Sequence, residues 1–406
     1  MRLHTLSGLR SGDPIEVWQY AERYLGDGTR TYSAYAADID IDDTFHPQLG
    51  AASFAVPTFR VPAELGGFVE SRHRSPLAAL YRDGDGFLLP VHPNALDWAG
   101  LVLGDTLRGC DRGPQLRVVP SANARTVFVT AIGDAPVEPH FVKLHYPRRM
   151  SRFTRRLRKP VIEAQLWVSD ELVDAELPLL PEVGGGFLGD TDDAWGFLIR
   201  DTVPVGAARL PLTVPLFALY GRDLQHPSDP TLIEQLVDIS GEDAATYVAD
   251  RVVAPAARMW ARAVTTAGVA VEPHGQNTLL SFEPDGRTTA LVYRDCGVYV
   301  DEGIRVRRGL RGLPPVNVVG RDVHADTGPV LSLGYDSFLW HHALSYLTTV
   351  AHDRLGVAPQ RLYAAARDAV ATAADLLPPT RFYYQRELDD REATKLVDTG
   401  EVPPWR

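Results

Sequence analysis

The stretch Glu272-Pro273-His274-Gly275-Gln276-Asn277, with Arg294-Asp295 beyond it, decides how this 406-residue chain is read. An imidazole, two carboxamides and two carboxylates fall within the length of a strand, a turn and a return strand. Thr278-Leu279-Leu280-Ser281-Phe282 predicts the first strand and Thr289-Ala290-Leu291-Val292-Tyr293 the second, with Glu283-Pro284-Asp285-Gly286-Arg287 as the turn. Such a hairpin sets Asn277 and Asp295 side by side at its open end. Carboxamide and carboxylate oxygens suit Mg²⁺, which keeps several waters and takes phosphate oxygens too. Taken alone, the same residues also fit a His-capped hairpin with a solvated Arg–Asp pair, because one HGxN pattern has little specificity.

Around the hairpin the chain reads as helical. Residues 244–267 carry Tyr247, Val248, Val252, Ala256, Trp260 and Val264 at helical spacing, despite Pro255. Residues 336–355 and 360–377 predict two more helices, stopped by Gly356-Val357-Ala358-Pro359 and Pro378-Pro379. Further upstream strands dominate. Residues 87–91, 116–120, 126–130, 141–145 and 195–200 alternate or run apolar, and Ser121-Ala122-Asn123-Ala124-Arg125 forms the tip of a hairpin. Residues 13–24 predict a helix, as do 151–173 with Pro160 breaking or kinking them. Residues 178–192, with Gly184-Gly185-Gly186, read as a loop; no Lys-Ser/Thr helix follows, so a P-loop is excluded. The expected organisation is an N-terminal module over 1–105, a sheet-rich middle module over 106–235, and a helical C-terminal module over 236–406.

A net charge of −11 argues against a general nucleic-acid binder, which needs a basic surface. Basic residues do cluster at Arg148, Arg149, Arg152, Arg155, Arg156, Arg158 and Lys159, a pattern suited to a small polyanion or to a solvated helix face. Two cysteines, Cys110 and Cys296, imply no disulfide framework. Neither a signal peptide nor a membrane-length apolar run is legible, so a soluble cytoplasmic protein without membrane partners is expected.

Four segments together resemble the IucA/IucC family, the siderophore synthetases that work independently of nonribosomal peptide synthetases. They are Pro90-Val91-His92-Pro93, Ser121-Ala122-Asn123-Ala124-Arg125-Thr126, Lys143-Leu144 with Arg155 downstream, and the EPHGQN stretch itself. Asn94-Ala95 stand where that family usually has Trp-Gln, and Asn123 where it has serine. Its N-terminal HPxHP segment has no counterpart, His46-Pro47 being isolated. The resemblance implies an α+β, multi-module cupped-hand fold, with a helical C-terminal palm carrying the β-hairpin. It implies ATP and Mg²⁺, small-molecule carboxylate and amine or alcohol substrates, and, as among relatives, a homodimer. Residue by residue it implies ATP contacts from His92, Asn123, Arg125, Thr126 and Lys143. It implies metal contacts from Gln276, Asn277 and Asp295, and acyl-substrate contacts from Arg155, His274 and Lys395, with His274 and Arg155 catalytic.

The chemistry of the residues agrees. A carboxylate is a poor electrophile, and attack on the α-phosphorus of ATP turns it into an acyl-adenylate; the protein must mainly position reactants and balance charge. Arg125 and Lys143 suit phosphate oxygens, one by a bidentate fork and the other as a point charge. Two other readings stay open. A kinase-like phosphotransferase shares an HG segment followed by Asp, but needs a catalytic carboxylate where Gln276 stands. A non-catalytic homologue would bind a carboxylate or a partner without turnover. His341-His342 fit the edge of a core better than a metal site, and Lys395 fits a tail lysine as well as a substrate contact.

Overall fold

Alternation in the Thr278–Phe282 and Thr289–Tyr293 strands buries both faces of their hairpin against different partners. Leu279 and Val292 point one way, into a cluster with Trp18, Phe128 and Phe141. Leu280, Phe282, Leu291 and Tyr293 point the other way, into the large core that holds Trp260, Tyr335 and Trp340. A period of two in the sequence thus becomes a layer shared by the sheet and helical parts of the molecule. The computed structural model describes residues 14–27, 40–96, 104–150, 153–189, 194–322, 325–386 and 394–406.

Among the described residues, seven strands form an antiparallel sheet in the order Phe54–Val56, Leu116–Pro120, Thr126–Ile132, Ala135–Leu144, Trp195–Arg200, Glu182–Leu188, Gly66–Glu70. Two of these strands come from the expected N-terminal region. The chain is α+β, with this sheet in its middle and helices dominating its C-terminal part. Leu180 N–H donates to Tyr293 O and Tyr293 N–H to Pro178 O, both at 2.9 Å, tying the hairpin's return strand to the chain that enters the sheet.

Within residues 178–189 the expectation of a loop is corrected, because Glu182–Leu188 is a buried strand of that sheet; 190–192 lie outside the described residues. Its glycines serve packing. A β-carbon on Gly185 would meet Phe197 O at 2.5 Å, and one on Gly186 would meet the Phe87 ring at 2.7 Å. Glycine here admits neighbouring backbone and aromatic rings, which composition alone reads as a turn.

Residues 151–173 also differ from expectation. The described chain pairs Tyr146–Met150 with Phe153–Arg155 as antiparallel strands, and the helix runs Lys159–Asp174. Pro160 lies in its first turn, where a missing N–H costs nothing, so it starts the helix instead of breaking it. The basic cluster consequently spans a strand pair and a helix start, and is no continuous helix face.

In the C-terminal part, Pro255 lies just beyond a wide π-helical stretch, Val248–Val253, within a helical run that continues to Ala267. Gly268, at φ 65°, ends it in the left-handed region. The expected 336–355 helix is π-helical over Leu333–Leu344 and α-helical over Ser345–Leu355. No described helix is long and apolar enough to cross a membrane.

Candidate active site

Strand register builds one wall of the site. Thr126 faces Lys143 across an antiparallel pair, and Lys143 faces Leu198 on its other side. The preceding loop is held by its own side chains: Ser121 Oγ donates to Thr126 O at 2.6 Å, and Arg125 N–H donates to Asn123 Oδ1 at 3.0 Å. That Asx turn commits the Asn123 oxygen to loop geometry and projects Arg125.

The HGQN turn builds the opposite wall. His274 O accepts from Asn277 N–H at 3.0 Å and from Thr278 N–H at 3.1 Å. A β-carbon on Gly275 would meet the Tyr220 hydroxyl at 2.4 Å, so this position has no room for a side chain. Gln276 N–H donates to His274 Nδ1 at 3.2 Å, which places the proton of a neutral ring on Nε2. Asn277 Nδ2 donates to Glu272 O at 3.1 Å, turning its amide oxygen the other way. Asp295 follows the return strand at φ 82°, in the left-handed region that non-glycine residues rarely adopt.

The two walls meet around a cavity of about 340 Å³. Asn123, Arg125, Thr126 and Lys143 line one side, and His274, Gln276, Asn277 and Asp295 the other. Lys143 Nζ donates to Asp295 Oδ1 at 2.7 Å and to Gln165 Oε1 at 2.9 Å. Burial lowers the Lys143 pKa, against the opposing pull of Asp295. Burial by itself would raise the Asp295 carboxyl, but the charges of Lys143 and Arg200, the Lys143 hydrogen bond and the Arg125 charge hold it far below the usual carboxylate range. Beneath them lies a second buried pair, Arg200 Nη2 donating to Glu182 Oε1 at 2.6 Å.

Two expected contacts lie outside the cavity lining, and a third falls on a side chain outside the described residues. His92 is absent from the cavity lining: its ring lies edge-on to Phe45, Phe54 and Tyr146, and its Nδ1 accepts from Asn94 N–H at 3.2 Å. Burial pushes its pKa down to about 3, so the ring is neutral at pH 7 and brings no charge to a phosphate. Lys395 is exposed on the Thr394–Asp398 strand, outside the lining. The backbone of Arg155 pairs with Tyr146, while its side chain lies outside the described residues.

Several lining residues carried no signal in the sequence. Gln165, on the Lys159–Asp174 helix, reaches Lys143 from an element whose start Pro160 obscured. Arg156, noted in the sequence only as one of a basic cluster, is exposed yet lines the cavity. Asn317, at φ 62°, joins from a loop. His342 is buried and His341 exposed, with rings 4.9 Å apart.

With this geometry the chain can be set beside known proteins. It superposes on ATP-bound aerobactin synthetase IucA from a hypervirulent pathotype of Klebsiella pneumoniae with a TM-score of 0.67 at 15% identity, covering 99% of this chain and 80% of that one. It has the fold of the IucA/IucC synthetases. The aerobactin synthetase IucC from the same pathotype gives 0.61 at 15% identity over 93% and 74% of the two chains. The petrobactin biosynthesis protein AsbB from Bacillus anthracis str. Sterne gives 0.67 at 13% identity over 96% and 75%. The family described as "Ferric iron reductase FhuF-like transporter" matches residues 245–398, less than half of the chain. No curated protein matches it by sequence.

Among the described residues no three His, Cys, Asp or Glu side chains cluster to hold a metal by themselves. The donors facing the cavity from the hairpin are one carboxylate and two amides, all oxygen-bearing. Such a set fits a hard cation that completes its shell with water and phosphate oxygens, which is how Mg²⁺ binds with a nucleotide.

Proposed function

We propose that this chain is an ATP-dependent ligase that adenylates a small carboxylate and joins it to an amine, hydroxylamine or alcohol, in siderophore or related natural-product biosynthesis. One observation carries the reading: Arg125 and Lys143 face Gln276, Asn277 and Asp295 across a single cavity. A site that only bound a carboxylate would need the cations but not the oxygen donors opposite them. The shared fold with an ATP-bound synthetase supports ATP as the nucleotide.

Arg125 and Thr126 hold phosphate oxygens from the loop, and Lys143 supplies a positive charge beside Asp295. Asp295, Asn277 and Gln276 would hold Mg²⁺, which would neutralise charge on the triphosphate. His274, its Nδ1 occupied by Gln276 N–H, orients the acyl carboxylate through Nε2–H, with Arg155 as its second contact. A carboxylate oxygen attacks the α-phosphorus, the bond to the bridging oxygen breaks, and pyrophosphate leaves. The nucleophile then attacks the acyl carbon, AMP leaves, and the nucleophile's proton passes to water. Fixed donors around both leaving groups supply the catalysis, because they need no reorganisation as charge develops. Gln276 cannot act as a base, which weighs against a kinase reading.

The test is product analysis with Mg-ATP, a panel of carboxylates and hydroxylamine as a generic nucleophile. AMP, pyrophosphate and a hydroxamate are expected. ADP would point to phosphoryl transfer, and nucleotide-independent carboxylate binding to a non-catalytic role; either sinks the ligase reading.

A further inference from the structure

We infer that Glu22 is a positioning residue that fixes the separation between the two walls of this cavity; the inference rests on the ligase reading. Glu22 belongs to the Pro14–Tyr24 helix, remote in sequence from every segment of the site, and is fully buried. Its Oε2 accepts from Ala122 N–H at 3.1 Å and from Arg294 Nη2 at 3.1 Å, while its Oε1 accepts from Trp18 Nε1 at 3.1 Å and from Arg294 Nη1. Ala122 sits in the loop that projects Arg125. Arg294 immediately precedes Asp295; its Nε donates to Gln276 O at 2.9 Å and its backbone N–H to Asn277 O at 2.9 Å.

One carboxylate therefore holds the cation-bearing loop with one oxygen and grips, through a single guanidinium, the hairpin that presents Gln276, Asn277 and Asp295. Only an ionised carboxylate can accept from all four of these donors at once, two on each oxygen. A glutamine of the same shape has one acceptor oxygen, and its NH₂ must face a donor. A triphosphate held from both walls, by Arg125 on one and by the donors of the hairpin on the other, would be sensitive to this separation, since small misplacements of reacting groups lower rates steeply.

The experiment compares Glu22→Gln with wild type in pyrophosphate release, at a temperature where circular dichroism shows both folded. Expected is a kcat reduced tenfold or more, with KM for the carboxylate within twofold, because the acyl contacts lie on other residues. Wild-type kcat in the folded variant overturns the inference. Should Glu22→Gln fail to fold, Glu22→Asp keeps the charge but is one methylene too short to span both walls. It is expected to fold and stay slow, and wild-type turnover in it overturns the inference equally. If wild type binds Mg-ATP without releasing pyrophosphate, the ligase reading fails while Glu22 is still tested: Mg-ATP affinity should fall tenfold in Glu22→Gln, and an unchanged affinity overturns the inference. If wild type binds no nucleotide, both fall together.

Discussion

Lys143 Nζ lies 2.7 Å from Asp295 Oδ1, although 152 positions separate them in the chain. The pair joins the main sheet to the open end of the C-terminal hairpin. Because Lys143 is buried and Asp295 sits at a strained φ of 82°, neither side chain is placed there by local preference. Packing two residues inward, where Leu279 meets Phe128 and Phe141, sets the ends against each other.

Asp295→Ala and Arg125→Ala should each abolish measurable pyrophosphate release, a loss of about 10²–10³-fold or more. Asp295→Ala leaves Lys143 buried beside Arg125 and Arg200 without its counter-charge; Arg125→Ala removes the phosphate fork. Circular dichroism should stay native in both. Wild-type turnover in either variant removes the site assignment.

Much of this arrangement was legible because it depends on short-range patterns. The strand–turn–strand over 278–293 and the loop before Arg125 are written in alternation and turn residues, and the structure places them as read. Two kinds of information were not legible. Gly184, Gly185 and Gly186 look like a loop locally, yet they form a strand because Phe87, Phe197 and Ile162 press on them from elsewhere. Gln165 and Glu22 reach the cavity or its walls through tertiary contacts alone, and nothing in their neighbouring residues marks them. His92 shows the converse: a strand-end histidine that resembles a ligand contact is held by an aromatic cage away from the cavity.

Gly186→Ala should destabilise the fold by about 1–3 kcal/mol, the usual cost of forcing atoms into a packed interior. The new methyl would meet Phe87 at 2.7 Å and Phe197 at 2.8 Å. Chemical denaturation would show a lower midpoint with an unchanged slope. An unshifted midpoint would mean that the strand tolerates side chains and that its glycines are incidental.

Stability should fall as pH drops from 7 to 5. His92 and His145 are each pushed down to about 3 by burial. In the unfolded chain they bind protons from about pH 6.5 downward, while the folded chain binds them only near pH 3. The unfolded state therefore gains protons first, stability is lost through that window, and the loss levels off near pH 3. At pH 5 linkage gives about 2 kcal/mol for each histidine. Asp295 acts elsewhere: its depressed carboxyl contributes stability that is lost as pH falls through the ordinary carboxylate range and below it. Melting temperature against pH checks this, and His145→Gln should reduce the slope without abolishing it, because burial lowers His140 and His341 as well as His92. A flat profile between pH 7 and 5 contradicts the burial of both rings.

Gln165→Leu should move the alkaline limit of activity to lower pH. Gln165 Oε1 accepts from Lys143 Nζ at 2.9 Å, a bond that favours the charged amine against the burial that already lowers its pKa. Leucine keeps the bulk and removes the acceptor, so Lys143 loses its proton at a lower pH and the phosphate loses its point charge. In the pH profile of kcat/KM for pyrophosphate release, the descending limb should move to lower pH. The acidic limb should stay in place, because Asp295 remains ionised well below it. A uniform drop in rate with both limbs unmoved would mean that Gln165 only fills space, and that burial and the surrounding charges alone tune Lys143.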